Sequence, residues 1–224
     1  VLAFRYNNIW YSTGADDSIL DAHGETYVPQ TYRAYSTRGV VGKTHGELFL
    51  AMPDLEDGTA HTALGNPASP NIAGMTIFDV LIDGLNGLDI GTGVTNFNRN
   101  ASISFFSDHA QSGGGAFYND NIPEVIISQI AQPNGTDYYH FSDVNGNIVG
   151  HSVSLTMPGM PAIGTYRLDL FTFPGNTDFS TATPNGNRPV DQRTREIRLV
   201  GLSFNDFGIT DANIAQIHSF DMLA

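Results

Sequence analysis

The residues of this sequence that could carry out chemistry include two histidine–glutamate motifs. His23-Gly24-Glu25 and His45-Gly46-Glu47 both have the H-x-E spacing that zinc deaminases use for a ligand and a general acid/base. Those enzymes also need cysteine ligands, and the 224-residue chain contains no cysteine. We therefore interpret both motifs as unrelated histidines in loops or at strand ends. The HExxH, GxSxG and Walker motifs of zinc proteases, serine hydrolases and nucleotide-binding loops do not occur.

Carboxylate pairs could support glycoside hydrolysis, which needs an acid and a base about 5–10 Å apart. Asp79, Asp83 and Asp89 are close together in the sequence, while Glu124 and Asp169 fall on two predicted strands that could meet in space. A chain with 23 acidic residues offers such pairs by chance. Solvated loop acids are the simpler interpretation. The sequence therefore predicts no catalytic residue, and a polysaccharide hydrolase is the least favoured of the functions considered.

Asp143, Asn145 and Asn147 are the candidate calcium ligands. They place side-chain oxygens at alternate positions, as the start of a calcium loop does. The glutamate and the two helices that complete an EF-hand are missing, because an apolar run follows and both flanks are strand-like. Asn145-Gly146 between β-prone runs is also the strongest short-range signal for a hairpin turn. We predict a turn here, with calcium as the alternative, and no other cofactor.

A second binding hypothesis treats exposed aromatic rings as a platform for sugars. Its candidate residues are Trp10, Tyr11, Tyr138 and Tyr139. Most aromatic residues of a β-sandwich belong to its core, where they bury a large apolar surface. A glycan-binding platform is therefore the second interpretation of these residues, and core packing is the first.

The charge balance excludes several classes of partner. The chain has 23 acidic and 10 basic residues, which gives a formal net charge of −13, and Lys43 is its only lysine. Nucleic-acid binding draws on basic side chains that neutralise phosphates, and anionic lipid repels an acidic surface. No stretch approaches the roughly 18 apolar residues of a membrane-spanning helix. We expect no nucleic-acid partner and no membrane insertion.

Short apolar or alternating runs, separated by Gly, Asn, Asp and Pro, predict an all-β fold. Residues 210–217 form the one predicted helix, which Thr210 can cap. Strands at this spacing predict an antiparallel β-sandwich or jelly roll with one short helix near the C-terminus. The predicted strands are 47–52, 75–82, 88–97, 103–106, 124–131, 138–142, 148–157, 165–173, 195–204 and 218–223.

Residues 1–75 differ in character from the rest of the chain. They hold the only lysine, three of the seven histidines and a Pro- and Asn-rich stretch at 66–71. We predict that residues 1–75 form an N-terminal extension or subdomain, able to pair with a neighbour, and that residues 76–224 form the β-sandwich domain. The chain begins at Val1 without an initiator methionine, so we expect it to be a processed or excised piece and not a complete translation product.

Five stretches of the later part of the chain carry a family resemblance. They are DGLNGLDIGTGVTN at 83–96, NIPEVIISQIAQP at 121–133, FSDVNGNIVG at 141–150, RTREIRLV at 193–200 and FNDFGIT at 204–210. In combination they resemble a domain of large secreted surface proteins of Bacteroidota. The resemblance implies an extracellular, cell-surface location, export by the type IX secretion route, and a role in an adhesin, a gliding component or a surface appendage. It implies no catalytic residues.

These observations predict a non-enzymatic structural or adhesive module of a bacterial surface protein or appendage. Its partners would be further copies of itself in a homo-oligomer, or neighbouring domains of the same protein. An unpaired N-terminal segment could complete the sheet of a neighbouring subunit by strand addition. The alternative is a carbohydrate-binding module of a secreted protein, with a glycan as its partner.

Overall fold

The computed structural model describes residues 2–32, 36–41, 47–53, 93–95, 102–106, 122–129, 135–174, 183–184 and 193–224. Within these ranges the regular structure is mostly antiparallel β-sheet. The strands are β1 (Ala3–Tyr6), β2 (Ile9–Ser12), β3 (Ser36–Val41), β4 (Glu47–Pro53), β5 (Gly93–Thr95), β6 (Ser102–Phe106), β7 (Val125–Gln129), β8 (Asp137–Ser142), β9 (Ile148–Leu155), β10 (Gly164–Pro174), β11 (Thr183–Pro184), β12 (Arg193–Leu202) and β13 (Ser219–Leu223).

The strands form two large sheets and a separate hairpin. Sheet I has the order β5-β4-β10-β12-β7, with β11 paired to β10, and sheet II has the order β3-β6-β13-β8-β9. Strands β1 and β2 form the hairpin. Most neighbours in the large sheets are not consecutive in the chain, as is usual in β-sandwiches with crossing connections. The fold is the all-β antiparallel sandwich that the sequence predicts.

The apolar core combines residues of both sheets. Phe141 of β8 is fully buried, and its ring centroid lies 4.9 Å from that of Phe207 and 5.1 Å from that of Phe220. Burying aromatic rings in such edge-on and tilted contacts supplies much of the hydrophobic stabilisation. The buried core residues are Val125, Tyr139, Phe141, Val149, Leu155, Met157, Leu202, Phe204, Phe207, Ile209 and Phe220.

The β8–β9 hairpin confirms the strongest local prediction from the sequence. The two strands pair on either side of residues 143–147, and Gly146 adopts a φ of 80° in the turn. The structure also has strands that overlap the predicted ranges 47–52, 103–106, 124–131, 165–173, 195–204 and 218–223. The range 75–82 lies outside the described residues, and 88–97 is described only at β5.

The C-terminal helix is shorter than predicted and is a 3-10 helix, Ile214–Gln216. The preceding residues form turns, because Asn213 Oδ1 accepts from the Thr210 backbone N–H at 2.7 Å. Thr210 Oγ1 in turn accepts from the Ala212 N–H at 3.3 Å. Such local side-chain bonds compete with the helical backbone pattern. The α-helix of the described part, α1 (Asp17–Ala22), lies near the N-terminus and is absent from the sequence prediction.

The N-terminal hairpin was also not predicted. Asn7 and Asn8 form its two-residue turn with φ values of 45° and 71°, a conformation that asparagine tolerates better than most residues. The Phe4 ring lies 5.7 Å from that of Tyr11 and 5.4 Å from that of Tyr32. The Tyr32 hydroxyl donates to the carbonyl of Pro123 next to β7, so residues 2–32 contact the sandwich.

Two strands from the N-terminal third belong to the sandwich itself. Strand β3 pairs with β6 in sheet II, and β4 pairs with β5 and β10 in sheet I. Strands β3 and β4 are therefore not parts of an extension, and the predicted division is wrong for these two strands. The sequence pattern could not show this because partners of a strand can be more than a hundred residues away. The boundary at residue 75 and the stretch 66–71 lie outside the described residues.

Candidate functional site

The outer face of sheet II, which is turned away from the core, carries a cluster of polar residues. Asp221 on β13 is paired with His140 on β8 and with Ser104 on β6, and Ser219 is paired with Ser142. Successive side chains of a strand point to opposite faces, so these residues lie opposite Phe220 and the core. We call Ser104, His140, Ser142, Ser219 and Asp221 the outer-face cluster.

The contacts within the outer-face cluster run from serine to aspartate to histidine. The Ser219 hydroxyl donates to Asp221 Oδ2 at 2.9 Å, and the same oxygen lies 3.9 Å from His140 Nε2. His140 Nδ1 is buried and has no hydrogen-bond partner within the described residues. A serine nucleophile needs the imidazole between serine and aspartate, so that histidine takes the hydroxyl proton. Here the Ser219 hydroxyl donates its hydrogen bond directly to the Asp221 carboxylate. This hydrogen bond orders the strand and does not activate the serine.

Exposure rises along the outer face toward one end of the strands. Asp221 and Ser219 are 9% and 6% exposed, whereas Tyr138 and Leu223, which pair with each other in the next row, are 46% and 39% exposed. An accessible aromatic ring therefore stands beside the half-buried His140. Aromatic rings next to hydrogen-bonding groups can hold a sugar ring by its apolar face and its hydroxyls.

The four residues of the aromatic platform hypothesis are divided between core and surface. Tyr11 and Tyr139 are buried, and Tyr139 stacks on Phe220 at 5.9 Å. Burial, with a smaller effect of the Asp137 charge, raises the pKa of the Tyr139 hydroxyl. Trp10 on β2 is 47% exposed and, like Tyr138, faces solvent. The structure therefore offers two exposed rings on separate sheets, not one four-residue platform.

The structure brings the candidate calcium ligands together as a closed turn. Asp143 Oδ1 accepts from the backbone N–H groups of Asn145 at 2.8 Å and Asn147 at 2.9 Å. Asp143 Oδ2 accepts from Asn147 Nδ2 at 3.0 Å. The side-chain bond from Asn147, followed by the backbone bonds, lowers the pKa of the Asp143 carboxyl. These N–H donors are bonded to both oxygens of the Asp143 carboxylate. Calcium binding by Asp143, Asn145 and Asn147 stays a prediction.

Glu124, one of the candidate acids, has a structural contact. Its Oε2 accepts from the backbone N–H of Phe204, the first residue of the 3-10 helix Phe204–Phe207. The same helix is capped by Ser203, whose side chain accepts from the Asp206 N–H while Asp206 accepts from the Ser203 N–H. Together these bonds satisfy backbone donors that the helix itself leaves unpaired.

Glu124 and Asp169 do not form an acid–base pair in the structure. Glu124 precedes β7, which pairs with β12 up to Leu202, whereas Asp169 lies one residue beyond the β10–β12 pair that ends at Arg193. At about 3.3 Å per residue, the nine residues from 193 to 202 separate the two acids by about 30 Å along β12. That distance is far beyond the separation that glycosidases use. Asp79, Asp83 and Asp89 lie outside the described residues.

The histidine–glutamate motifs are described only in part. His23 is the C-terminal cap of α1, and the Glu25 backbone N–H donates to Leu20 O at 3.1 Å, so this motif is the exposed turn that follows the helix. Glu47 begins β4, while His45 lies outside the described residues. Among the described residues, no group of three or more His, Asp or Glu side chains is arranged to hold a metal ion.

Arg198 belongs to the RTREIRLV stretch, but the sequence does not indicate that it contacts Met160. It is only 7% exposed on β12, and its Nε donates to the Met160 carbonyl at 3.0 Å. Its Nη2 forms an ion pair with Glu196. These contacts, together with a bond from Ile163 N–H to Ile197 O at 2.8 Å, tie the connection between β9 and β10 to sheet I. No local signal in the sequence indicates such a pairing across 38 residues.

Comparisons with known proteins leave the family open. No protein-family model matches the chain, and neither curated proteins nor solved structures give a match. The likeness to Bacteroidota surface domains therefore stays a prediction from the five sequence stretches. Of the helices in the described residues, none has the length and apolar character that crossing a bilayer requires.

Proposed function

We propose that this chain is a non-enzymatic structural or adhesive module of an extracellular bacterial surface protein. The observation that supports this proposal is that several of its carboxylates accept hydrogen bonds from the chain itself. Glu124 and Asp206 accept from backbone N–H groups at the start of one 3-10 helix, and Asp143 closes the β8–β9 turn. Asp221 accepts from Ser219. A catalytic acid or base needs contact with the substrate, and these groups hold the fold instead.

The surface-protein part of the proposal rests on the sequence resemblance. The stretches at 121–133, 141–150, 193–200 and 204–210 include β7, the turn between β8 and β9 with the adjoining strand ends, much of β12 and the capped 3-10 helix. These elements contribute most of the buried core residues. A shared core of this kind supports a common fold, and the extracellular location and type IX export follow from the same proposal.

Adhesion can be tested directly with the folded chain. The purified protein is coupled to fluorescent beads, and beads retained under flow are counted on glass, on mucin and on polysaccharide films. Control beads carry an unrelated β-sandwich of similar net charge. Retention above the control on at least one surface is expected, and electron microscopy of the same preparation is expected to show ordered assemblies. Retention equal to the control, together with dispersed single particles, would contradict the proposal.

A carbohydrate-binding module is the second candidate, and the exposed Tyr138 beside His140 favours it. A glycan screen, run with and without calcium, compares the native chain with Tyr138→Ala and Trp10→Ala. The two variants remove equally exposed rings on different sheets. If the outer face binds sugar, Tyr138→Ala loses binding and Trp10→Ala retains it. Absence of binding by the native chain under both conditions removes this candidate.

A further inference from the structure

Residues 148–166 contain no Asp, Glu, Lys or Arg, although such residues make up 15% of the chain. This uncharged segment covers β9, the 3-10 helix Met157–Gly159 and the start of β10. Two of its large apolar residues face solvent, Ile148 at 50% exposure and Ile163 at 58%. In a molecule with a net charge of −13, a contact between two copies through this segment adds no repulsion between like charges at the contact itself.

Strand β9 is an edge of sheet II in the described part of the chain. It pairs with β8 and is eight residues long, longer than the average strand of about five to six. Edge strands are usually protected by charged residues, prolines or bulges. Strand β9 has a bulge around Gly150, where the register with β8 shifts, but no charged residue and no proline. Ser152, at the end of the bulge, and Ser154, which pairs with Tyr138 beyond it, are both exposed.

We infer that a second copy of the chain docks on the β9 edge by antiparallel strand addition through residues 152–155. This inference rests on the proposed structural role and specifies its interface. Antiparallel pairing of a strand with its own copy is two-fold symmetric, so one patch is sufficient. A basic partner would bind the acidic surfaces of this molecule. The β9 edge carries no charged residue, so it suits a partner with the same negative charge, which is a second copy of the chain.

Sedimentation experiments test whether the edge holds a dimer. The native chain is expected to dimerise, and Ser152→Lys and Ser154→Lys are each expected to raise the dissociation constant at least about tenfold, because each variant brings two like charges close to the symmetry axis. Gln216→Lys adds the same charge at an exposed site of another element and is expected to dimerise like the native chain. Thermal melting confirms that all variants fold.

A cysteine scan tests the symmetry of the pairing. The native chain has no cysteine, so a single introduced cysteine can form a disulfide only between copies. In two-fold antiparallel pairing one residue lies opposite its own copy, at a Cα distance that suits a disulfide. Among Ser152→Cys, Val153→Cys and Ser154→Cys, one position is expected to oxidise much faster than Gln216→Cys.

The outcomes separate this inference from the proposed function. A native chain that is monomeric at high concentration overturns it, as does a dimer that survives Ser154→Lys and shows no fast cysteine position. Binding of a strand from a different protein to a monomeric chain also overturns it. In each case bead retention can still support adhesion. Conversely, a β9 dimer without retention or larger assemblies would support the interface and contradict the adhesive role.

Discussion

The backbone of Gly150 lies so close to the carbonyl group of Phe207 that a Cβ atom at residue 150 would overlap the carbonyl oxygen. The Ile209 Cδ1 atom would also be within 3.2 Å of that Cβ. Gly150 is part of the bulge in β9, with a φ of 77°. The bulge therefore allows the 3-10 helix Phe204–Phe207 to approach the strand and to place Phe207 in the core.

Gly150→Ala is expected to lower the free energy of unfolding far more than Gly146→Ala. Both glycines have a φ near 80°, which costs a residue with a Cβ about 1 kcal/mol, but no atom lies within 4 Å of the Cβ position at Gly146. The overlap at Gly150 adds strain, for a total of about 3 kcal/mol or more. Urea denaturation of the two variants measures the difference. Equal losses would show that the contact with Phe207 is not tight.

Phe141→Ala is expected to lower the free energy of unfolding by about 3–5 kcal/mol, because it removes a fully buried ring from the centre of the core. Tyr138→Ala on the same strand removes an exposed ring and is expected to change it by less than about 1 kcal/mol. Denaturant midpoints of both variants provide the comparison. A small effect at Phe141 would mean that Phe204, Phe207 and Phe220 close the space.

Asp137 begins β8 and Asp143 directly follows it, and the pKa values of the two carboxyl groups are expected to shift in opposite directions. Hydrogen bonds from Asn147 and then Asn145 lower the pKa of Asp143, and burial raises the pKa of Asp137. Carbon-detected NMR of the carboxyl groups between pH 2 and 7 measures both. Asp143 is expected below the ordinary value of about 3.9 and Asp137 above it. The opposite order would contradict the hydrogen bonding of the turn.

Because the two pKa values shift in opposite directions, the two carboxyl groups make stability depend on pH in opposite ways. The lowered pKa of Asp143 means that its contribution is present above its unfolded pKa and is lost as the pH falls through the folded value. The raised pKa of Asp137 means that its contribution is present below its unfolded pKa and is lost as the pH rises through the folded value. Asp137→Asn is therefore expected to increase stability at neutral pH relative to the native chain, and Asp143→Ala to decrease it.

Arg198→Met is expected to lower the free energy of unfolding by about 1–3 kcal/mol, because it leaves the Met160 carbonyl and Glu196 without this donor. Arg198→Lys is expected to restore little of this loss, since an ammonium group cannot reproduce the donor geometry of a guanidinium. Arg5→Ala is the control, because the Arg5–Asn8 bond is exposed. Full rescue by lysine would show that charge alone matters at this position.

The sequence by itself determined the all-β class and the position of the β8–β9 hairpin. Both depend on local chemistry, since an Asn-Gly turn and alternating side chains act over a few residues. The same local rules were insufficient near the C-terminus, where side-chain bonds of Thr210 and Asn213 replace most of the predicted helix by turns. They also missed the N-terminal hairpin, because the Asn7-Asn8 turn is a weaker signal than Asn-Gly.

Only the tertiary structure decided which polar residues meet. Sheet order places Ser219 and Asp221 beside His140, brings Glu124 to the helix that starts 80 residues later, and leaves Glu124 and Asp169 at opposite ends of sheet I. It also turns Tyr139 into the core and leaves Tyr138 on the surface. The physical reason is that strand pairing joins distant segments in a specific register, and local sequence patterns contain no information about which strands become neighbours.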